Sequence, residues 1–366
     1  MILLPQEREA DMFNVDPIPG RTCIIDGKEY LFFSGYSYLG MSHIPAFVDS
    51  LIQGTKKYGS VFPSSRNSNT RLSLYEEFEN ELALLTGMAG TVSYSSGYLA
   101  GLAISTVLSE YSNIEIAPCT HPAIANMLKG DKISQRNEDQ SFDHWANKVT
   151  ARINDSNQTT FVLVADSVNI LANTLHDFTF INRINEEKEI IFLIDDSHGL
   201  GILGDKGEGI SANLPMKAGI DYILCYSLSK AFNLIGGAIS ASRYWCDLLR
   251  TQSPYSASTA ISPSQIFTFL QSRKLYLQQQ QLLRRNIDLF YRSLPKKTFN
   301  VQPPVLPIML CRNSNAQNIF KEQGMIISSF SYPLPLSEKI NRVILNALHE
   351  PEDIVEIVSV FNHHHM

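Results

Sequence analysis

Apolar residues in the middle of the chain come in short, near-continuous runs, each closed by a polar residue and followed by a helical pattern. The run at 91–95 meets Ser96-Gly97 and then an apolar-periodic stretch at 98–111, while 114–118 leads to a helix near 123–128. The runs at 161–165, 190–194 and 222–226 end at Asp166, Asp195 and Ser227. Runs of this length without alternation predict strands buried on both faces, and the helices between them predict parallel crossovers. The expected fold is therefore α/β, a mostly parallel central sheet with helices on both faces. A single long amphipathic helix is predicted over 264–294, with the glutamine run 278–281 on its solvated side. Beyond it Pro303, Pro304, Pro333 and Pro335 punctuate a smaller α+β region. The implied division is a large domain over 45–260, a small C-terminal domain over 261–366, and an N-terminal segment 1–44 that joins the small one.

Ligands of open parallel sheets bind at the carboxyl ends of the strands, where this chain places its polar residues. Asp195-Asp196-Ser197-His198 follows one run, and Ser227-Leu228-Ser229-Lys230 follows another. Successive strand residues face opposite ways, so Asp195 and Asp196 divide between the two faces of the sheet. A lysine just past a buried strand sheds its proton when desolvated and can then attack a carbonyl. A carboxylate, an imidazole and an amine so placed suit pyridoxal phosphate, which needs an anion at its ring nitrogen, a partner for its phenolic oxygen and an amine for its aldehyde. Ser95-Ser96-Gly97-Tyr98 joins a strand to a helix and offers free amides to a phosphate. The helix dipole adds only about 0.3–1 kcal/mol there, so the amide hydrogen bonds carry more of the binding.

Each motif alone has a plainer explanation: a turn cluster, a solvated lysine, an ordinary N-cap. Their coincidence at three strand ends is what favours a cofactor site. A metal centre at the Asp-Asp-Ser-His run lacks a third ligand nearby in sequence. A dinucleotide loop at 201–207 lacks the G-x-G-x-x-G spacing.

Composition narrows the classes further. The 366 residues are 44% apolar, and 30 basic against 36 acidic residues leave a net charge of −6. That balance argues against a nucleic-acid binder and against disorder. Five cysteines without a CxxC pair predict reduced, buried thiols and a cytoplasmic setting. Neither a signal-peptide pattern nor an apolar run of about 18 residues is present, so no membrane span is expected. His363–His365 is expected to be a tail without a role.

The motifs resemble, in order, those of the α-oxoamine synthases, fold-type I pyridoxal-phosphate enzymes related to class II aminotransferases. The resemblance runs through Tyr38-Leu39-Gly40, Ser65-Arg66, the stretch 77–83, Ser96-Gly97-Tyr98 and the run from Asp195 through His198 to Gly204. It continues through Ser227-Leu228-Ser229-Lys230, Ser258-Thr259 and Arg342. It implies that Lys230 holds the cofactor's aldehyde, Asp195 pairs with the ring nitrogen, His198 meets the phenolic oxygen and His121 stacks on the ring. Ser96, Gly97, Tyr98 and Ser227 would hold the phosphate, with Thr259 reaching it from the other subunit of a homodimer. Arg66 and Arg342 would bind substrate, Arg342 through the substrate carboxylate. The implied reaction joins an amino acid to an acyl-coenzyme A with loss of carbon dioxide, as an 8-amino-7-oxononanoate synthase does.

The chain departs from the pattern in the glycine-poor stretch 58–70, at Tyr75, Asn233 and Ser227, and over 166–173. These changes keep the cofactor core and alter segments toward the substrate. An aminotransferase or amino-acid decarboxylase is the nearest alternative. A non-catalytic homologue and a nicotinamide dehydrogenase are more distant ones.

Overall fold

The computed structural model describes residues 12–128, 141–294, 306–331 and 339–364. Its described strands are, in chain order, β1 (Thr22–Ile25), β2 (Lys28–Phe33), β3 (Gly90–Tyr94), β4 (Ile114–Ile116), β5 (Thr160–Asp166), β6 (Val168–Asn169) and β7 (Thr174–Leu175). They continue with β8 (Glu189–Asp195), β9 (Ile220–Ser227), β10 (Gly237–Ala241), β11 (Ile308–Cys311), β12 (Met325–Ser331) and β13 (Lys339–Ile344). The chain divides into two compact units. The larger comprises Met41–Gln281 with Pro304–Leu306; the smaller is built from both ends of the chain, 1–40, 282–303 and 307–366.

The larger unit carries a six-stranded sheet of order β3-β10-β9-β8-β5-β4. Strands β4, β5, β8 and β9 pair in parallel, whereas β10 lies antiparallel between β9 and β3. The mostly parallel sheet expected from the apolar runs is present. All of Ile190–Ile194 in β8 is buried, as a central strand with both faces covered requires. On one face Val162, Val164, Ile191, Leu193 and Ile223 pack against Ala100, Ala103 and Ile104 of the helix Gly97–Leu108. On the other, Phe192 meets the rings of Phe178, Phe180 and Tyr222.

The smaller unit has a five-stranded sheet, β1-β2-β12-β13-β11, in which β2 and β12 are parallel. The larger unit extends to Gln281 because the helix Pro263–Gln271 lies against Pro45–Tyr58. A Cβ at Gly54 would stand 2.7 Å from the Ser264 carbonyl oxygen, so glycine permits this approach.

Two expectations about the C-terminal helix are corrected. It is two helices, Pro263–Gln271 and Arg273–Ser293, separated at Ser272. The Ser272 side chain is buried and its amide bonds Phe269 O in a tighter turn, which ends the first helix. The glutamine run is not wholly solvated either. Gln279 and Gln280 are buried, and Gln280 Nε2 donates to Ile202 O at 2.9 Å and Gly204 O at 3.0 Å. It satisfies carbonyls of the glycine turns that follow Asp195-Asp196-Ser197-His198. Among the described residues no helix is long and apolar enough to cross a membrane. Part of the expected tail, His365, lies outside the described residues, as do all four punctuating prolines, Pro303, Pro304, Pro333 and Pro335.

Candidate active site

The carboxyl ends of β3, β5, β8 and β9 share one edge of the large sheet, because β10 turns back between β3 and β9. Two rows of paired positions cross that edge: Asp166, Asp195 and Cys225 in one, Tyr94, Gly237 and Ser227 in the other. In-register parallel neighbours point to the same face, so Asp166 and Asp195 project together. Asp196 takes the opposite face, as the alternation predicts. It is fully buried, and its Oδ2 accepts the Ile210 amide at 2.8 Å.

Asp195 is 8% exposed. Its Oδ1 accepts the Ser197 amide at 2.9 Å, and its Oδ2 stands 3.9 Å from His121 Nδ1. His121 is the N-cap of the single turn Pro122–Ala125. Its Nδ1 accepts the Ala123 amide at 3.2 Å, which assigns the ring proton to Nε2, and its own amide donates to Asp166 Oδ1 at 2.9 Å. Partial burial lowers the His121 pKa, with Asp195 opposing the shift.

Lys230 lies in the loop 228–236 between β9 and β10, close enough to Asp195, Asp166 and Cys225 to feel their charges. Burial pushes its amine pKa down and those three groups push it back up. Asp166 is shifted the other way, well above the ordinary carboxylate range, by burial and then by Asp195. His198 is half-buried in the turn that follows β8.

Beside this cluster the helix Gly97–Leu108 begins against the sheet. Ser96 caps it by accepting the Leu99 amide at 3.0 Å, leaving the first amides, those of Gly97 and Tyr98, without an intrahelical partner. The approach depends on two glycines. A Cβ on Gly97 would stand 2.7 Å from Ser227 Cβ, and one on Gly237 would strike the backbone of Gly97. The Ser227 amide donates to Ser197 Oγ at 2.9 Å, and its hydroxyl pairs with Ser229 at 2.8 Å. Asn233, where the notional family residue is small, adopts φ 58° and donates to Ser42 Oγ at 2.8 Å. Asparagine tolerates that left-handed conformation better than most side chains, so the loop keeps its path.

The remaining expected residues are Arg66, Thr259 and Arg342. Arg66 is 7% exposed and committed to Glu79, at 2.6 Å, and to Ser93 O. Tyr75 and Tyr255 flank its guanidinium, and Glu79 also takes Arg250 at 3.1 Å. These side chains line a cavity of about 880 Å³. Thr259 is exposed in the loop before Pro263–Gln271. Arg342, on β13 of the smaller unit, is fully buried. Its Nη2 donates to Tyr36 Oη at 2.6 Å and Phe330 covers it at 4.6 Å, while Nε and Nη1 meet no acceptor among the described residues. A buried guanidinium with two bare N–H groups calls for an anion such as a carboxylate.

Two contributors escaped the sequence reading. Asp166 was visible as the polar end of an apolar run, but nothing in sequence tied it to His121. Gly237 was hidden because β10 has Ile239 as its one large apolar residue.

The donor set fits pyridoxal phosphate: an amine whose proton is loosened by burial, an ionisable carboxylate and a neutral imidazole on one face, and a glycine-cleared helix start beside them. A predominantly parallel sheet with these groups at its carboxyl edge defines a fold-type I pyridoxal-phosphate enzyme. Known proteins agree. The family profile for aminotransferase class I and II matches residues 33–361. The 8-amino-7-oxononanoate synthase of Petrotoga mobilis is 24% identical, over 92% of this chain and 88% of its own length. The serine palmitoyltransferase of Bacteriovorax stolpii is 23% identical, over 95% and 85%. A serine palmitoyltransferase structure with pyridoxal phosphate superposes with a TM-score of 0.80 at 18% identity, covering 96% of this chain and 92% of that one, a likeness of fold. The chain belongs to the aminotransferase class I and II family, as a pyridoxal-phosphate-dependent transferase of the α-oxoamine synthase type.

Proposed function

We propose that this enzyme joins an amino acid to an acyl-coenzyme A, releasing coenzyme A and carbon dioxide and leaving an α-amino ketone. The observation that carries the reading is the Lys230 amine, its pKa lowered by burial, held within the field of Asp195. Pyridoxal phosphate, when bound, supplies the electron sink that stabilises a carbanion at the amino acid's α-carbon. Lys230 would hold the cofactor's aldehyde and, once displaced by the substrate amine, take the α-proton. Asp195 would keep the ring nitrogen protonated, His121 would pack on the ring and His198 would meet the phenolic oxygen. The amides of Gly97 and Tyr98, with Ser96 and Ser227, would hold the phosphate. Arg342 would take the substrate carboxylate on its two bare N–H groups.

Arg66 supports this site as a strut for the loop 58–73 through Glu79, rather than by touching substrate. Thr259, exposed here, would reach the phosphate of a second copy, so the working unit is a homodimer, placed in the cytoplasm. Alanine with a pimeloyl thioester is the pair the 8-amino-7-oxononanoate synthase relatives suggest. Pairing alanine, glycine and serine with a panel of acyl-coenzyme A esters tests the reading by release of free thiol. Thiol should appear only when both substrates are present. Transfer of the amino group to a 2-oxo acid, with no thiol released from any pair, would refute it.

A further inference from the structure

Asp166 is absent from the roles assigned so far, yet it touches the centre from three sides. It is the in-register neighbour of Asp195, on the same face of the sheet. Its Oδ1 receives the His121 amide at 2.9 Å, and that residue's Nδ1 stands 3.9 Å from Asp195 Oδ2. From behind, His176 Nδ1 lies 2.9 Å from the Asp166 carbonyl oxygen. A carbonyl only accepts, so Nδ1 carries the proton there. The His176 ring is itself fixed, stacked on Phe142 with centroids 4.0 Å apart and planes 6° apart. Burial holds its pKa down at about 4, so it stays a neutral donor near pH 7.

We propose that Asp166 is a positioning residue, which seats the His121 imidazole beside Asp195 by gripping the His121 main chain. The inference rests on the cofactor reading of the site. Charge supports it. Asp166 and Asp195 face Lys230, the Cys225 thiol and His121. Two neighbouring buried carboxylates resist ionising together, and Asp166 is the one driven upward. A protonated Asp166 still accepts the His121 amide with one oxygen. Its work is then steric and directional, which the amide of asparagine can reproduce.

A double-mutant cycle tests this: wild type, Asp166→Ala, His121→Ala and the double variant, with Asp166→Asn as the isosteric control. The readouts are pyridoxal-phosphate affinity, kcat, and the hydrogen-exchange rate of the His121 amide with and without cofactor. Asp166→Ala and His121→Ala should each weaken cofactor binding about tenfold, the double variant no further than His121→Ala, and Asp166→Asn by less than about twofold. The His121 amide should exchange at least about tenfold faster in Asp166→Ala and near the wild-type rate in Asp166→Asn. Losses that multiply in the double variant, or an unchanged exchange rate in Asp166→Ala, overturn the proposal. Should Asp166→Ala not fold, Asp166→Ser, whose hydroxyl is too short to reach the amide, replaces it with the same expected outcomes. A wild-type protein that never binds pyridoxal phosphate sinks the cofactor reading instead, while the exchange experiment still decides whether Asp166 grips His121.

Discussion

At the residue scale, neighbouring aspartates differ only in the face they take, and that decides their chemistry. Asp195 opens toward His121 and Lys230, whereas Asp196 is sealed between the glycine turns, with Oδ1 meeting no donor in good geometry. A side chain on Gly199 or Gly209 would collide with its oxygens. Burial raises the Asp196 pKa from 3.8 to about 7. Because the folded chain holds this proton more tightly than the unfolded one, the contribution to stability is full below pH ~4. It is lost as pH rises toward 7. Asp196→Asn removes that titration and keeps the acceptor for Ile210. Its Tm relative to wild type should therefore climb between pH 4 and pH 8, by roughly 3 °C or more. Scanning calorimetry at several pH values checks this, and a pH-independent difference would show that Asp196 stays ionised throughout.

At the scale of elements, the start of the helix Gly97–Leu108 is only as close to the sheet as Gly237 allows. Gly237→Ala should push that helix start outward and weaken pyridoxal-phosphate binding by at least about tenfold, consistent with the ~1–3 kcal/mol cost of overpacking. Equilibrium titration measures it; unchanged affinity would mean the helix start does not hold the phosphate. Strand β10 also marks where sequence reading stops. Strands β5, β8 and β9 were legible because runs of Val, Ile, Leu and Phe announce burial on both faces, and their polar ends announced Asp195, Ser227 and Lys230. Gly237–Ala241 is equally buried, but Ile239 is its one large side chain, too little for an apolar run to stand out from its surroundings. Ser272 ends a helix through its buried turn, and Gln280 is buried by carbonyls contributed from residues 202 and 204. The Gln280 contacts are made far along the chain and the Ser272 turn is a break of a single residue, so the apolar periodicity carries no trace of either. Arg66 illustrates the same limit: nothing local in the sequence pairs it with Glu79.

At the scale of the whole molecule, a site shared between copies has a decisive signature. Lys230→Ala and Thr259→Asp should each be inactive alone. If Thr259 acts across the dimer, mixed dimers regain one site with both native residues. Unfolding and refolding the two variants together should then restore roughly a quarter of the wild-type rate, half the dimers being mixed with one good site each. No recovery would place both residues in a site made by a single chain.

The smaller unit has a different consequence, for the order of assembly. Leu31 and Phe33 of β2 pair with Met325 and Ile327 of β12, so β2 has no neighbour on that side until residues about 290 positions later have been made. The larger sheet needs only residues 90–241 and can be complete by then. During synthesis β1 and β2 must wait while residues 90–241 condense, and residues 308–344, made much later, complete the sheet those two strands started.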